Sequence, residues 1–156
     1  MDYPWRANQP GVVLDVETFG LSQNSPIWEA ALLDLQSGEK KHWYVKPYAG
    51  RSRLTRAELP HFMEPWTRSR YEATGEGTLG EAIRQANREG VHPKQFLTEL
   101  FSAIEGKQVF IANAPFEARK IGSMARTWLS PSEIVSASKQ FETAPAGTGH
   151  LGNTFY

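Results

Sequence analysis

The sequence predicts a single α/β domain with a mixed sheet and flanking helices, and three observations favour this class. Short segments rich in apolar and β-branched residues occur at 11–17, 27–35 and 41–47. Two longer segments, 92–106 and 114–129, carry apolar residues at helical spacing. The length of 156 residues suits one domain, and an apolar content of 40% is enough for a core. Strands before and between helices are typical of an α/β sandwich.

Charge, cysteine content and hydropathy exclude several classes of protein. The 17 basic residues balance the 17 acidic ones, so only a local patch could attract nucleic acid. The chain has no cysteine, which excludes disulfides and thiolate metal sites. The polar N-terminus does not resemble a signal peptide, and no segment approaches the ~20 apolar residues of a membrane span. We therefore expect a cytoplasmic protein that does not associate with a membrane.

The first half of the chain predicts three strands followed by a long irregular region. The segments 27–35 and 41–47 are separated by turn residues, so we expect them to form an antiparallel hairpin. Residues 48–91 are irregular apart from two possible short helices, at 54–66 and 78–90. A region of this length is typical of a binding loop or lid.

The second half predicts two helices separated by a strand. In segment 92–106 one apolar stripe lies between Pro93 and Gly106, which are typical helix boundaries; the stripe comprises Phe96, Leu97, Leu100, Phe101 and Ile104. A strand is expected at 107–113, a helix from Pro115 onward, and a fifth strand at 132–141. The expected order is β-β-β-α-β-α-β, followed by a tail that is mostly loop.

Two carboxylates interrupt the first strand. Asp15 and Glu17 alternate with Leu14 and Val16, so both point to one face, ~7 Å apart along the strand. Burying unpaired carboxylates is costly and raises their pKa values, and a divalent cation with oxygen ligands removes that cost. A strand end that emerges into solvent explains the same pattern without any function.

A third acid lies on the apolar stripe of the second helix. Glu117 is spaced at helical intervals from Ile121, Met124 and Trp128. An acid in the first helical turn can simply complement the helix dipole, a contribution of ~0.3–1 kcal/mol. Alternatively, it is a third metal ligand directed at Asp15 and Glu17.

Two segments resemble the first two motifs of the DEDD superfamily of 3′→5′ exonucleases, which have a ribonuclease-H-like fold. In LDVETFGL the matching residues are Asp15, Glu17, Thr18, Gly20 and Leu21. In IANAPFEARKI they are Asn113 and Phe116, and Glu117 stands where the family usually has Asp. Glu29 and Pro47 also occupy positions where relatives carry similar residues.

The resemblance implies a site with two Mg²⁺ or Mn²⁺ ions and catalytic, metal-binding carboxylates at Asp15, Glu17 and Glu117. Asp15 would bridge both ions, Glu17 would help to hold one, and Glu117 would contact the other directly or through water.

It also implies that Thr18, Phe19, Leu21 and Asn113 bind the substrate, with Phe19 stacking on a terminal base. Phe19 and Leu21 could instead pack beneath the turn, and Asn113 could hold the turn before the helix.

The last motif of the family is absent. That motif carries a fourth Asp and a His or Tyr that orients the attacking water, but the 39 residues after Glu117 contain no Asp. His150 is interpreted as a loop residue, and Glu133 and Glu142 as surface acids. The chain is therefore interpreted as one exonuclease-like domain over residues 1–156, incomplete at the C-terminus, with the C-terminal helix missing or truncated.

The sequence thus predicts a metal-dependent 3′→5′ exonuclease that acts on DNA or RNA ends by two-metal phosphodiester hydrolysis. A catalytically incomplete module that binds nucleic acid or protein is the alternative, supported by the missing motif. An unrelated α/β hydrolase with a two-acid site is a third possibility. Arginines at 50–56 and 68–70 could contact phosphates or form a solvated charged loop.

Overall fold

A computed structural model describes residues 10–18, 26–46, 79–112 and 114–136. The strands are β1 (Gly11–Thr18), β2 (Ile27–Asp34), β3 (Lys40–Tyr44) and β4 (Gln108–Ile111). The helices are α1 (Leu79–Glu89), α2 (Pro93–Ile104) and α3 (Ala114–Trp128), followed by a short helical segment at 131–136. The expected α/β class with a mixed sheet and flanking helices is confirmed. The possible helix at 54–66 lies outside the described residues, whereas the one at 78–90 corresponds to α1.

The four strands form one mixed sheet in the order β3-β2-β1-β4. Strand β1 is antiparallel to β2 and parallel to β4, and β2 and β3 form the expected antiparallel hairpin. The hairpin turn requires a left-handed residue, which Gly38 provides with φ +72°. Asp34 Oδ1 accepts hydrogen bonds from the backbone N–H groups of Gln36 and Ser37 (2.9 and 3.0 Å), which stabilises the turn.

One face of the sheet, here called the core face, packs against α2 and α3. On β1 this face carries Val12, Leu14 and Val16, each at most 7% exposed. The parallel register of β4 places Val109 and Ile111 beside the first two. All five residues belong to one buried cluster that also includes the predicted apolar stripe of α2 and Ile121, Met124 and Ala125 of α3. Burial of this face therefore determines which side of β1 points to the helices.

Polar contacts cap the start of α2 and join its middle to β3. The His92 imidazole Nδ1 accepts a hydrogen bond from the Lys94 N–H (3.1 Å), and Pro93 occupies the first turn. The indole N–H of Trp43 on β3 donates to the Glu99 carboxylate at 2.6 Å. Together with the edge-to-face contact between Trp43 and Phe96, this bond joins the helix to the edge of the sheet.

The predicted fifth strand is wrong at residues 132–136, because the segment 131–136 is helical; residues 137–141 lie outside the described residues. Ser130 and Glu133 form a reciprocal capping box: the Ser130 N–H donates to the Glu133 carboxylate (2.7 Å), and the Glu133 N–H donates to Ser130 Oγ (3.3 Å). Pro131 follows the cap as the first helical residue. These local bonds outweigh the strand preference of Ile134 and Val135.

Glu133 is a surface residue in the structure, and Lys94 is its charged partner. The Lys94 ammonium lies 2.8 Å from the Glu133 carboxylate, and both side chains are more than a third exposed. The hydrogen bond from Lys94, together with those from Ser130, lowers the pKa of Glu133 to about 2.

None of the described helices is long and apolar enough to cross a membrane.

Gly90 allows the end of α1 to pass very close to β3, so we predict that Gly90→Ala destabilises the fold. A Cβ atom at this position would overlap the Ala86 carbonyl oxygen and lie 3.0 Å from the Tyr44 carbonyl oxygen of β3, both backbone atoms. We expect a loss of ~1–3 kcal/mol in the free energy of unfolding, measured by urea denaturation.

Gly122→Ala is the matched control, since the nearest atom to its Cβ is the flexible guanidinium of Arg126 at 3.4 Å. This change in the interior of α3 should stabilise the protein by up to ~1 kcal/mol. If Gly90→Ala and Gly122→Ala change the free energy of unfolding equally, the backbone is not closely packed around Gly90.

The ion pair between Lys107 and Asp34 should make stability depend on pH. The Lys107 ammonium donates to Asp34 Oδ2 at 2.9 Å. The pKa of Asp34 is held well below its usual range, chiefly by the Ser37 N–H and then by Lys107 and the Gln36 N–H. A lowered folded-state pKa stabilises the protein above the unfolded-state pKa of ~3.9, and this stabilisation is lost progressively as the pH falls below it.

We therefore expect Asp34→Asn to lower the thermal unfolding midpoint at pH 7. The difference in unfolding midpoint between the variant and the wild type should become smaller below about pH 4. If the unfolding midpoints of the wild type and Asp34→Asn differ by the same amount at pH 7 and pH 2.5, the charge of Asp34 does not contribute to the pH dependence of stability.

Candidate metal and nucleic-acid site

The two acids of β1 lie on the face of the sheet opposite the core face, here called the outer face. Asp15 and Glu17 are exposed, whereas their neighbours Leu14 and Val16 are buried. The expected alternation within β1 is thus confirmed. Because the core face takes the apolar side chains, the two carboxylates are directed away from α2 and α3.

Both acids lie in the C-terminal half of β1, near the end of the parallel strand β4. The register pairs Leu14 with Ile111, the last residue of β4. The register between β1 and β2 shifts between Glu17 and Thr18, and the last residue pair of the two strands is Thr18 with Ile27. In open α/β sheets this carboxyl edge is the usual location of ligand sites.

Asp15 is in an environment that disfavours its negative charge. Partial desolvation raises the pKa of Asp15 above its ordinary value; the Val16 N–H acts in the opposite direction, and the nearby charge of Glu29 raises the pKa further. A cation beside Asp15 would favour the ionised form and reverse this shift. The local electrostatics therefore suit a bound positive charge.

The sequence analysis did not include Glu29 and His42 in the site, but the hairpin places them on the outer face. Glu29 is the direct cross-strand partner of Glu17, and His42 pairs with Ala31, the partner of Asp15. His42 Nε2 lies 2.7 Å from Glu29 Oε1. Two like charges directly opposite each other are unfavourable, so Glu17 and Glu29 add to the negative potential of this face.

An aromatic side chain adjoins this hydrogen-bonded pair. The rings of His42 and Tyr44 make an edge-to-face contact with centroids 4.7 Å apart. Period-two alternation in 27–35 and 41–47, combined with the expected hairpin, could have placed all these side chains on one face. The pairing register itself, which decides the neighbours, was not available from the sequence.

Glu117 lies on the core side of the molecule. It is in the first turn of α3 and only 4% exposed, on the same stripe as Ile121 and Met124, so the expected inward position on the helix is confirmed. One turn later Lys120 is 3% exposed, and its ammonium lies 5.1 Å from the centroid of the Phe116 ring.

The described residues contain no ready-made metal site. Within the described ranges, no group of three His, Asp or Glu side chains lies close enough to hold a metal ion. Asp15 and Glu17 extend from the outer face of β1, whereas the Glu117 side chain is buried in the first turn of α3. Asp15 and Glu17 fit a divalent cation as neighbouring oxygen ligands, and the role of Glu117 as a third ligand stays a prediction.

Of the predicted substrate-binding residues, only Thr18 is described. It is half-buried at the end of β1. Phe19, Leu21 and Asn113 lie outside the described residues, as do His150, Glu142 and both arginine-rich segments. Their roles stay predictions.

The fold resembles that of exonuclease I, although no protein-family model and no curated protein sequence matches the chain. A product-bound exonuclease I matches with a TM-score of 0.55 and 17% identity, over 76% of this chain and 25% of that one. Escherichia coli exonuclease I in complex with a dA16 oligonucleotide gives a TM-score of 0.55 and 16% identity, over 76% and 24% of the two chains. Exonuclease I from Methylocaldum szegediense gives 0.50 and 19%, over 72% and 22%.

The chain thus spans about a quarter of the length of these exonuclease I proteins. What it shares with them is the mixed α/β fold, with a four-stranded mixed sheet and flanking helices.

Proposed function

We propose that this chain is part of a metal-dependent 3′→5′ exonuclease that removes nucleotides from DNA or RNA ends. The observation that carries the proposal is the position of Asp15 and Glu17. They lie next to each other on the outer face, at the carboxyl end of the central strand of an exonuclease-I-like sheet. The raised pKa of Asp15 supports a cation at this position.

In this proposal Asp15 and Glu17 hold divalent cations, Mg²⁺ or Mn²⁺. Such ions stabilise the charge on the attacking and leaving oxygens of a phosphodiester and lower the pKa of bound water. The protein itself provides oxygen ligands on a rigid strand and, through Glu29, further negative potential that attracts cations to this face.

The proposed partner is the 3′ end of a nucleic acid. Exonuclease I has been crystallised with dT13 and dA16 oligonucleotides, which supports a nucleic-acid ligand for the same fold. Thr18, Phe19, Leu21 and Asn113 are proposed to contact the terminal nucleotide, because they lie at the end of β1, just after it, or just before α3.

A second candidate is a catalytically incomplete module that binds nucleic acid without cutting it. The observation that favours it is that, within the described ranges, no group of three His, Asp or Glu side chains could hold a metal ion. The two candidates share the fold and the ligand, and they differ in whether the phosphodiester is cleaved.

An oligonucleotide labelled at its 5′ end separates the candidates. With Mn²⁺, we expect the full natural protein to produce a ladder of products shortened from the 3′ end. Asp15→Asn should slow this reaction about 100-fold or more, since it removes charge from the proposed cation site.

Glu39→Gln is the control, because Glu39 is an exposed acid in the hairpin turn at the other end of the sheet. It should leave the rate unchanged. Equal rates for the wild type and Asp15→Asn would remove the exonuclease proposal, and binding of the oligonucleotide without shortening would support the second candidate.

A further inference from the structure

We propose that His42, oriented by Glu29, accepts a proton from the water molecule that attacks the phosphodiester. This inference rests on the proposed function and deepens it, because it assigns the proton acceptor of the same site. A carboxylate that coordinates a cation has little remaining basicity, so the hydrolysis requires a further group that takes up the proton. Among side chains, imidazole exchanges protons most readily near neutral pH.

The hydrogen bond between His42 and Glu29 decides which ring nitrogen is the base. His42 Nε2 lies 2.7 Å from Glu29 Oε1, and an ionised carboxylate can only accept a hydrogen bond. Nε2 therefore carries the proton, and Nδ1 of the neutral ring keeps its lone pair as the proton acceptor. A carboxylate that holds one nitrogen in this way also stabilises the imidazolium that forms when the other nitrogen takes up a proton.

The imidazole of His42 is restrained but accessible. The Tyr44 ring makes an edge-to-face contact with it, with centroids 4.7 Å apart, and the hydrogen bond to Glu29 holds the ring at a second point. At the same time, 48% of the His42 side chain is exposed. A ring held in this way loses little conformational freedom when a reactant arrives, which favours proton transfer in a defined geometry.

His42 and Asp15 lie in the same row across the outer face. The register pairs Asp15 with Ala31, and Ala31 with His42. Ala31 is exposed, so no side chain longer than a methyl group stands between the two residues in this row. Because adjacent strands are ~4.8 Å apart, the Cα atoms of Asp15 and His42 are separated by ~10 Å. This gap suits a small reactant that contacts both side chains, as a phosphodiester and its attacking water would.

The charges around His42 compensate the positive charge that its ring gains in this step. Glu29 on β2 is its hydrogen-bond partner, and the two acids of β1 lie beyond it on the outer face. On β3 itself, Lys40 and Tyr44 share the outer face with His42. Three carboxylates against one exposed lysine favour a site in which an imidazolium forms transiently.

The proposed step balances as a hydrolysis. The water oxygen forms a bond to phosphorus, and one water proton passes to His42 Nδ1. The bond between phosphorus and the 3′ oxygen of the preceding nucleotide breaks, and that oxygen takes a proton from solvent. His42 then releases its proton to solvent, so the side chain is unchanged after each nucleotide is removed.

The kinetics of the full natural protein with the 5′-labelled oligonucleotide test this assignment at saturating Mn²⁺. His42→Gln should lower kcat about 100-fold, because glutamine is polar but cannot accept the proton. The expected fall in the wild-type kcat toward acid pH should be absent from this variant, and KM should stay within about threefold. Glu29→Gln should lower kcat about tenfold, because a neutral amide does not stabilise the imidazolium.

Nitrogen-15 NMR of the metal-free wild-type protein gives a readout that does not depend on activity. At about pH 8 the His42 ring should be protonated at Nε2 and unprotonated at Nδ1. A ring protonated at Nδ1 would overturn the assignment, because the lone pair would then face Glu29. This measurement also decides the question if His42→Gln does not fold.

His92→Asn is the matched control. His92 is the other histidine within the described ranges, and it caps the start of α2, a role that asparagine can also fill. The control should keep the wild-type kcat and pH profile. If His42→Gln cleaves with the wild-type kcat and pH profile, the inference is wrong and the proposed exonuclease function stands. If the wild type does not shorten the oligonucleotide, the proposed function and this inference both fail.

Discussion

The whole arrangement depends on the burial of one face of β1. Val12, Leu14 and Val16 pack against α2 and α3, and the strand cannot turn over without exposing all three. Because side chains alternate, this burial directs Asp15 and Glu17 to the opposite face. The apolar core therefore decides where the acids lie, although none of its residues takes part in the proposed chemistry.

The hairpin of β2 and β3 adds further charged side chains to the outer face. The β1–β2 register places Glu29 opposite Glu17, and the hairpin brings His42 within hydrogen-bond distance of Glu29. The acids that concentrate negative potential on the outer face thus come from two strands. A cation in this position would relieve the repulsion between Asp15 and Glu29, which supports the proposed cation site.

Charge on the core side follows a different rule. Glu117 and Lys120 lie among apolar side chains, where an isolated charge is far more costly than on the outer face. The same residue type therefore has different consequences on the two sides of the sheet. An exposed carboxylate is available to ligands, whereas a buried one must be neutralised by a neighbour before the helix can pack.

The sequence by itself determined the elements with strong local signals. The alternation in β1, the hairpin, the apolar stripe of α2 and the inward position of Glu117 on α3 all depend on period and turn chemistry, which are local properties. The helical segment at 131–136 also depends on a local signal, the capping box of Ser130 and Glu133, although the β-branched residues there favour a strand. Only the tertiary structure decided which acids are neighbours, because the side of the sheet on which α3 packs and the register between strands depend on the burial of the whole core.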